Sequence, residues 1–247
     1  MDPIQKPFHY KHPMAALTTD CVVFSFDPKN GLQILLIKRS EDSRAFAGLW
    51  ALPGGFLRVE GEGDALNVDK TLEECAIREL REETCIQGDV KLYQFGAFGD
   101  IKRDPRSRTV TVAYLALVNE VPVTGDSDAS DARWWKVDEL PPLAFDHDII
   151  IEQARKQLRR LVYFEPVVYD LLPGRFRMPQ LIKLYEAILQ SSFDPRNFRK
   201  KILKSGIVRE AGENDRDPET LIRRSGLEFS FDPEVYSKLK AEGFIEF

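Results

Sequence analysis

Three glutamates in one short segment constrain this chain more than any other feature. Glu79, Glu82 and Glu83 lie in a segment from Leu72 to about Thr84 that the sequence predicts to be helical. Residues three and four apart lie on one face of an α-helix, so the three carboxylates would be neighbours. Like charges at this spacing destabilise a helix by roughly 0.2–0.5 kcal/mol per pair. Helix stability therefore does not explain the arrangement, whereas a cation-binding site would.

A hard divalent cation would relieve this repulsion. Mg²⁺ and Mn²⁺ take oxygen ligands and keep room for waters and substrate phosphates, so Glu79, Glu82 and Glu83 are the candidate metal ligands. The glycines that precede the helix, in Pro53-Gly54-Gly55, can bring backbone close to a cation or a phosphate. The alternative is a solvated acidic helix that Arg78 and Arg81 neutralise.

The first half of the chain predicts strands around this helix. Thr18–Phe26, Leu32–Lys38 and Val110–Val118 are typical strand sequences. Thr71 and Glu74 predict a capping box at the helix start, in which each side chain accepts the other's backbone N–H. Strands mixed with one strong helix predict an α+β or α/β sandwich.

The segment around the glutamates resembles the Nudix box, G-x5-E-x7-R-E-U-x-E-E-x-G-U, where U is aliphatic. The matching residues are Gly55, Arg78, Glu79, Leu80, Glu82, Glu83 and Ile86. The resemblance implies a Nudix α/β/α sandwich in which Arg78 orients a neighbouring carboxylate and the three glutamates hold the metal. It implies that a catalytic set of Arg78, Glu79, Glu82 and Glu83 promotes metal-assisted attack of water on a diphosphate.

Two departures from that pattern predict weak or absent pyrophosphohydrolase activity. Between Gly55 and Arg78 the chain has 22 residues, nine more than the pattern, and Lys70 takes the place of its first glutamate. Cys85 replaces the glycine after the glutamate pair. Glu60 or Glu62 in the inserted loop would be a substitute ligand, unless the loop is a plain surface loop.

The segment Asp104–Tyr114 resembles the substrate-side loop and strand of ADP-ribose-type Nudix proteins. Guanidinium groups pair with phosphate through two parallel hydrogen bonds, which makes arginines near this loop candidates for holding a diphosphate. The candidate effector-binding residues are Arg39, Arg103, Arg106 and Arg108. Surface arginines without a ligand are the alternative.

The later part of the chain is basic although the whole chain is acidic. From Glu152 to Arg209 there are thirteen Lys or Arg against five Asp or Glu, whereas the net charge of the chain is −5. The pattern of helix, helix, strand, loop and strand is typical of a winged helix, whose third helix begins at Asp194-Pro195 and ends at Gly206. The outward residues of that helix are candidates for DNA contacts: Arg196, Asn197, Arg199, Lys200, Lys201 and Lys204.

Several segments of this later part resemble the Nudix-related transcriptional regulators of the NrtR group. They include Leu172-Pro173, Leu184–Leu189 and Asn197–Lys201, and the loop Gly212–Gly226 would be the wing. Trp134–His147 is similar to the end of the Nudix domain in those regulators, and we expect His147 to order the domain junction at a helix N-terminus. The alternative is a basic helix in a domain that only mediates dimers.

We therefore expect an α+β protein with three parts: a Nudix effector-sensing domain (1–150), a connecting helix (151–160) and a winged helix-turn-helix DNA-binding domain (161–247). It would be a homodimeric regulator that binds a double-stranded DNA operator and senses an ADP-ribose-like nucleotide or a sugar. The alternative is a Mg²⁺-dependent Nudix hydrolase of ADP-ribose or a related nucleoside diphosphate derivative. No apolar run reaches the length of a membrane helix, so we expect a cytoplasmic protein without a membrane partner.

Overall fold

The computed structural model describes residues 11–59, 68–119, 123, 129–211 and 227–242. The chain divides into two compact units. The first contains the residues up to Ala154 except the segments 24–33 and 117–120, and the second contains those segments and the residues from Arg155 onward.

Seven strands form the larger sheet of the described residues. They are β1 (Ala16–Asp27), β2 (Gly31–Arg39), β3 (Trp50–Ala51), β4 (Gly54–Phe56), β5 (Leu92–Phe98), β6 (Thr109–Leu117) and β7 (Ala129–Lys136). The order is β3-β2-β1-β6-β5, while β4 pairs with β1 and β7 pairs with β2. The three strands predicted from the sequence are confirmed with ends that shift by one or two residues.

The central strands β1 and β6 carry the core of this sheet. Cys21, Val22, Val23 and Phe24 are completely buried in succession, without the alternation of a half-exposed strand. A continuous apolar run of this kind is typical of a strand that is covered on both faces.

The helix α1 (Leu72–Thr84) has the predicted bounds. Thr71 caps it, and its hydroxyl accepts a hydrogen bond from the Glu74 N–H at 3.1 Å. The other half of the predicted capping box is wrong, because the Glu74 carboxylate accepts the Lys70 N–H at 2.7 Å. The glutamate side chain thus satisfies a donor one residue before the cap. At the other end, Cys85 adopts the left-handed conformation with φ 57° and donates its N–H to the Arg81 carbonyl.

The later elements begin with a helix that contains the predicted connecting segment 151–160, and they continue with those of the predicted winged helix. They are the helices α2 (His147–Phe164), α3 (Met178–Leu189), α4 (Pro195–Ser205) and α5 (Pro233–Ala241), a short 3₁₀ helix (Val167–Leu171) and the strands β8 (Phe176–Arg177), β9 (Val208–Glu210) and β10 (Glu228–Phe231). The three strands pair in the order β8-β10-β9.

The ends of α4 follow the sequence signals, since Asp194 accepts the Asn197 N–H at 2.8 Å and Gly206 ends the helix with φ 74°. The helix α5, which Asp232 caps, was not among the predicted elements. The predicted wing loop, Gly212–Gly226, lies outside the described residues, as does the inserted loop with Glu60 and Glu62. Within the described part of the chain, no helix has the length and apolar character needed to span a lipid bilayer.

Candidate ligand pocket and nucleic-acid interface

A cavity of about 520 Å³ opens in the first unit, between β1, β2, the Pro53–Phe56 segment, α1 and the start of α2. This volume is in the range of small-molecule sites in proteins. Charged side chains of both signs dominate its wall. The lining arginines are Arg39, Arg44, Arg58, Arg103 and Arg106, and the lining carboxylates are Asp20, Asp42, Glu79, Glu83 and Asp104.

Arg78 contacts two of the three candidate carboxylates of α1. Its Nη1 atom donates to Glu79 Oε1 at 2.6 Å and lies 3.3 Å from Glu82 Oε2. Arg58 donates to the same Glu82 oxygen at 3.1 Å. Much of the predicted repulsion on this helix face is therefore relieved by guanidinium groups. Arg81, the other predicted neutralising residue, donates to the Gly88 carbonyl at 3.1 Å.

Asp69 is the main partner of Arg78, and the sequence analysis missed it. Two parallel hydrogen bonds join them, from Nε to Oδ1 at 2.8 Å and from Nη2 to Oδ2 at 2.6 Å. The hydrogen bonds from Arg78 hold the pKa of Asp69 below its ordinary value. Asp69 is adjacent to Lys70, where the pattern has its first glutamate, so Asp69 places a carboxylate against Arg78 from the neighbouring position.

Glu83 is the most deeply buried of the three glutamates, with 7% of its surface exposed. Burial raises its pKa to about 8 although the Gly54 N–H donates to Oε2 at 2.8 Å, and the nearby Glu79 and Asp20 charges add to the effect. Burial also raises the pKa of Glu79. The two glycines leave little room here, since a Cβ at Gly55 would lie 2.5 Å from the Glu79 carboxylate.

Carboxylate oxygens suit a hard divalent cation, but these side chains are not arranged around a common point as metal ligands are. Among the described residues, no group of three or more His, Cys, Asp or Glu side chains is placed to hold a metal ion. Glu82 is turned toward Arg78 and Arg58, whereas Glu83 is turned toward Gly54. The assignment of Glu79, Glu82 and Glu83 as metal ligands, and of the same residues with Arg78 as catalytic, stays a prediction.

Two of the four predicted effector arginines present their guanidinium groups at aromatic rings of the cavity wall. Arg39 lies 5.1 Å from the centre of the Phe145 ring and donates from Nε to the Ala45 carbonyl at 3.1 Å. Arg106 lies over both Phe56 and Phe145, at 5.6 and 5.4 Å. The buried Asp104 carboxylate holds Arg106 through Nη2 at 2.8 Å and Nε at 3.0 Å.

Arg103 also reaches the cavity, but carboxylates of the protein already surround it. Its side chain is 4% exposed, and it donates to both oxygens of Asp146, at 3.0 and 3.1 Å, and to Asp20 at 3.2 Å. These bonds tie the start of α2 to β1. A phosphate would have to replace one of these carboxylates, so the role of Arg103 in effector binding stays a prediction.

His147 lies beside this ion-pair network, at the first residue of α2, as predicted. The Leu52 N–H donates to its Nδ1 atom at 2.8 Å, and its Nε2 atom lies 3.7 Å from Asp20 Oδ1. Complete burial lowers the pKa of the imidazole, which favours the neutral form that accepts the Leu52 bond. His147 therefore fixes the Leu52 segment against the helix start.

The structure does not bring Arg108 together with the other three arginines. Arg108 is exposed and is not among the described residues that line the cavity. Arg44 and Arg58 line it instead, and the sequence analysis missed both. Arg44 lies in the loop between β2 and β3, where no motif signalled a ligand.

The outward face of α4 is the candidate nucleic-acid interface of the second unit. Five of the six predicted residues are exposed there: Arg196, Asn197, Lys200, Lys201 and Lys204. Ile202 is buried on the opposite side, so the helix is amphipathic with a cationic outer face.

Arg199 differs from these neighbours because it packs against the sheet of its own unit. Its guanidinium lies 5.2 Å from the centre of the Phe229 ring and 3.8 Å from a Glu210 carboxylate oxygen. These contacts join α4 to β10 and β9. A contact between Arg199 and DNA stays a prediction.

Comparison with known proteins places the chain in a family. The model of the NUDIX domain matches residues 15–154, and the model of the NrtR DNA-binding winged helix domain matches residues 168–221. The chain is 34% identical over 206 residues to the ADPR responsive transcriptional repressor NtrR of Acinetobacter baylyi, covering 82% of this chain and 78% of that protein. The chain belongs to the NrtR family of Nudix proteins.

Solved structures agree with this NrtR assignment. Shewanella oneidensis NrtR complexed with a 27mer DNA is 29% identical, with a TM-score of 0.69 over 90% of this chain and 95% of that chain. The NUDIX domain of the same protein, complexed with ADP ribose, is 35% identical, with a TM-score of 0.53 over 62% of this chain and 94% of that chain. The predicted Nudix fold with a C-terminal winged helix is thus confirmed.

Proposed function

We propose that this chain is a ligand-responsive, DNA-binding transcriptional regulator. Its Nudix domain senses an ADP-ribose-like nucleotide or a sugar, and its winged helix binds a double-stranded DNA operator. The observation that carries the proposal is that one chain combines an arginine-lined cavity with a helix whose outer face exposes Arg196, Lys200, Lys201 and Lys204. The NtrR and NrtR relatives, with their named ADPR response and their DNA and ADP ribose complexes, support it.

The proposed organisation follows the sequence prediction. Residues 1–150 sense the effector, residues 151–160 connect, and residues 161–247 bind DNA. A homodimer in the cytoplasm would place two α4 helices on two half-sites of a twofold operator. The ligand lowers DNA affinity only if it binds the DNA-incompetent arrangement better, and a tenfold effect needs about 1.4 kcal/mol of coupling.

Selection from a random duplex library with the full chain provides the operator, and fluorescence anisotropy then measures its affinity. We expect ADP-ribose to weaken this binding. We expect the double variant Lys200→Ala/Lys201→Ala to lose most of it. The matched control is Lys183→Ala/Lys238→Ala, which removes the same charge from exposed positions of α3 and α5. Equal losses in the two variants would contradict the assigned DNA-binding helix, and the absence of an ADP-ribose effect would contradict a nucleotide effector.

The second candidate function is Mg²⁺- or Mn²⁺-dependent hydrolysis of ADP-ribose, which the shared face of Glu79, Glu82 and Glu83 favours. Related Nudix hydrolases generally use divalent metals. Metal binding by these three residues would require Glu82 to leave Arg78 and Arg58. A coupled phosphate-release assay with ADP-ribose and Mg²⁺ tests this function. Release by the wild type that Glu82→Gln abolishes would support an enzyme, and release at background by the wild type would remove it.

A further inference from the structure

An arginine of α2 holds the end of α3. Arg159 donates from Nε to the Ile188 carbonyl at 3.2 Å and from Nη2 to the Gln190 side-chain oxygen at 2.7 Å. The last carbonyls of an α-helix have no partner within the helix, so a cation from elsewhere is stabilising there. A guanidinium presents its donors in a fixed planar fork, which lets one side chain hold two acceptors in one orientation. Arg159 therefore holds the residues at which the chain leaves α3.

Gln190 adopts a backbone conformation that a residue with a side chain rarely takes. It ends α3 with φ 53°, in the left-handed region. Helices that end in this way most often have glycine at this position, and sometimes asparagine. Strain of this kind persists where the surroundings hold the residue, and the hydrogen bond from Arg159 does so here. The glutamine thus supplies an acceptor that a glycine would not.

The turn after Gln190 leads directly to the DNA-binding helix. A segment of four residues joins Gln190 to α4. Within this segment the Phe193 N–H donates to the Glu186 carboxylate of α3 at 3.0 Å. The Phe198 ring of α4 lies 5.5 Å from the Phe193 ring and 5.2 Å from the Tyr185 ring of α3. Because α4 packs on this turn and on α3, a displacement of the α3 end also displaces the outer face of α4.

We propose that Arg159 is a positioning residue for DNA binding, which orients α4 through Ile188 and Gln190. The inference rests on the proposed function and deepens it, because it makes the connecting helix part of the DNA-binding machinery. The contribution of Arg159 is geometric: a misplaced α4 weakens its DNA contacts together, although Arg159 itself contacts no phosphate.

Fluorescence anisotropy of the full chain with the selected operator duplex tests this role. We expect Arg159→Met to bind roughly 10-fold more weakly, the size of one charge-assisted hydrogen bond. The salt dependence of binding should stay unchanged, since no phosphate contact is lost. Arg159→Lys keeps the charge but not the fork and should bind as weakly as Arg159→Met. The matched control, Arg160→Met, removes the same charge from the next, exposed position of α2 and should bind like the wild type.

Gln190→Gly separates positioning from stability. Glycine removes the acceptor of Arg159 but suits the left-handed conformation, so calorimetric melting should show no destabilisation of the second unit. We nevertheless expect Gln190→Gly to bind the operator more weakly than the wild type. The double variant Arg159→Met/Gln190→Gly should bind no more weakly than Arg159→Met, because the two residues act through one contact.

The inference is overturned if Arg159→Met binds the operator as tightly as Arg160→Met, or if Arg159→Lys restores the wild-type affinity. Losses that multiply in the double variant would also overturn it, because Arg159 and Gln190 would then act separately. In each of these outcomes the wild type still binds DNA, so the proposed function survives. Failure of the wild type to select any duplex would overturn the proposed function and this inference with it.

Discussion

Replacing Arg103 by methionine should destabilise the first unit strongly. The guanidinium is 4% exposed and joins Asp146 and Asp20, whose side chains are 13% and 9% exposed. Its removal leaves two carboxylates buried without their counter-charge, and breaking a buried pair in this way costs about 3–5 kcal/mol. In a unit of this size each kcal/mol lowers the melting temperature by roughly 2–4 °C, so we expect a loss of about 10 °C.

Tryptophan fluorescence during urea unfolding measures this effect selectively. All three tryptophans of the chain, Trp50, Trp134 and Trp135, belong to the first unit. Arg108→Met is the matched control, because Arg108 is exposed and outside the cavity lining. Adding Asp146→Asn to Arg103→Met should recover part of the loss, since it removes one of the uncompensated charges.

The competing view is that Arg103 serves mainly to hold a phosphate of the ligand. In that case Arg103→Met would weaken ADP-ribose binding while leaving the free energy of unfolding within about 0.5 kcal/mol of the Arg108→Met value. That result would refute a mainly structural role for Arg103.

Three further predictions address other parts of the molecule. Burial raises the pKa of Glu83 to about 8, so the folded state keeps a proton that the unfolded chain has lost. The stability that this group contributes is complete below about pH 4.5 and is lost as the pH rises toward 8. In chelator-treated protein, the free energy of urea unfolding of Glu83→Gln should therefore exceed that of the wild type by an amount that grows by up to about 1.4 kcal/mol per pH unit. A difference that stays constant with pH would contradict this prediction. Cys85→Gly should stabilise the first unit by about 1 kcal/mol, and Gln190→Gly should stabilise the second unit by a similar amount. Both residues end helices with positive φ, which glycine adopts without strain. Calorimetric melting that leaves both transitions unchanged would refute this prediction. Lys200→Ala should lower the salt dependence of duplex binding by about one phosphate contact. Arg199→Ala should lower it less and should also destabilise the second unit, because Arg199 contacts Phe229 and Glu210. Equal slopes together with equal stabilities of the two variants would contradict this assignment.

The helices that the sequence predicted well are those with strong local signals at their ends. The bounds of α1 and α4 follow from Thr71, Asp194 and Gly206, which act within one turn of the chain. The carboxylate face of α1 and the cationic face of α4 follow from helix periodicity alone. Local chemistry also explains the half-formed box at Thr71, because the Glu74 side chain has two backbone donors within reach and capping rules name only one of them.

The side-chain contacts in the pocket wall were less predictable, because they join residues that are far apart in the sequence. Arg103 was expected to face a ligand, yet its partners Asp20 and Asp146 lie 83 and 43 residues away. No periodicity or motif reports such a pairing. The conformation of Phe145 was not predictable either, because its left-handed backbone and its ring contacts exist only in the folded chain. Asp69 was detectable in principle, because it is adjacent to the position where the family pattern requires a carboxylate.

The charge balance of the pocket limits what phosphate recognition alone can contribute to ligand binding. A diphosphate must compete for Arg106 with Asp104 and for Arg103 with Asp146 and Asp20. Exchange of a carboxylate for a phosphate at the same guanidinium conserves the number of ion pairs, so only the difference between the two pairs favours the ligand. Arg44, exposed and without an ion pair to any described residue, is the lining arginine where a phosphate adds a contact without displacing one.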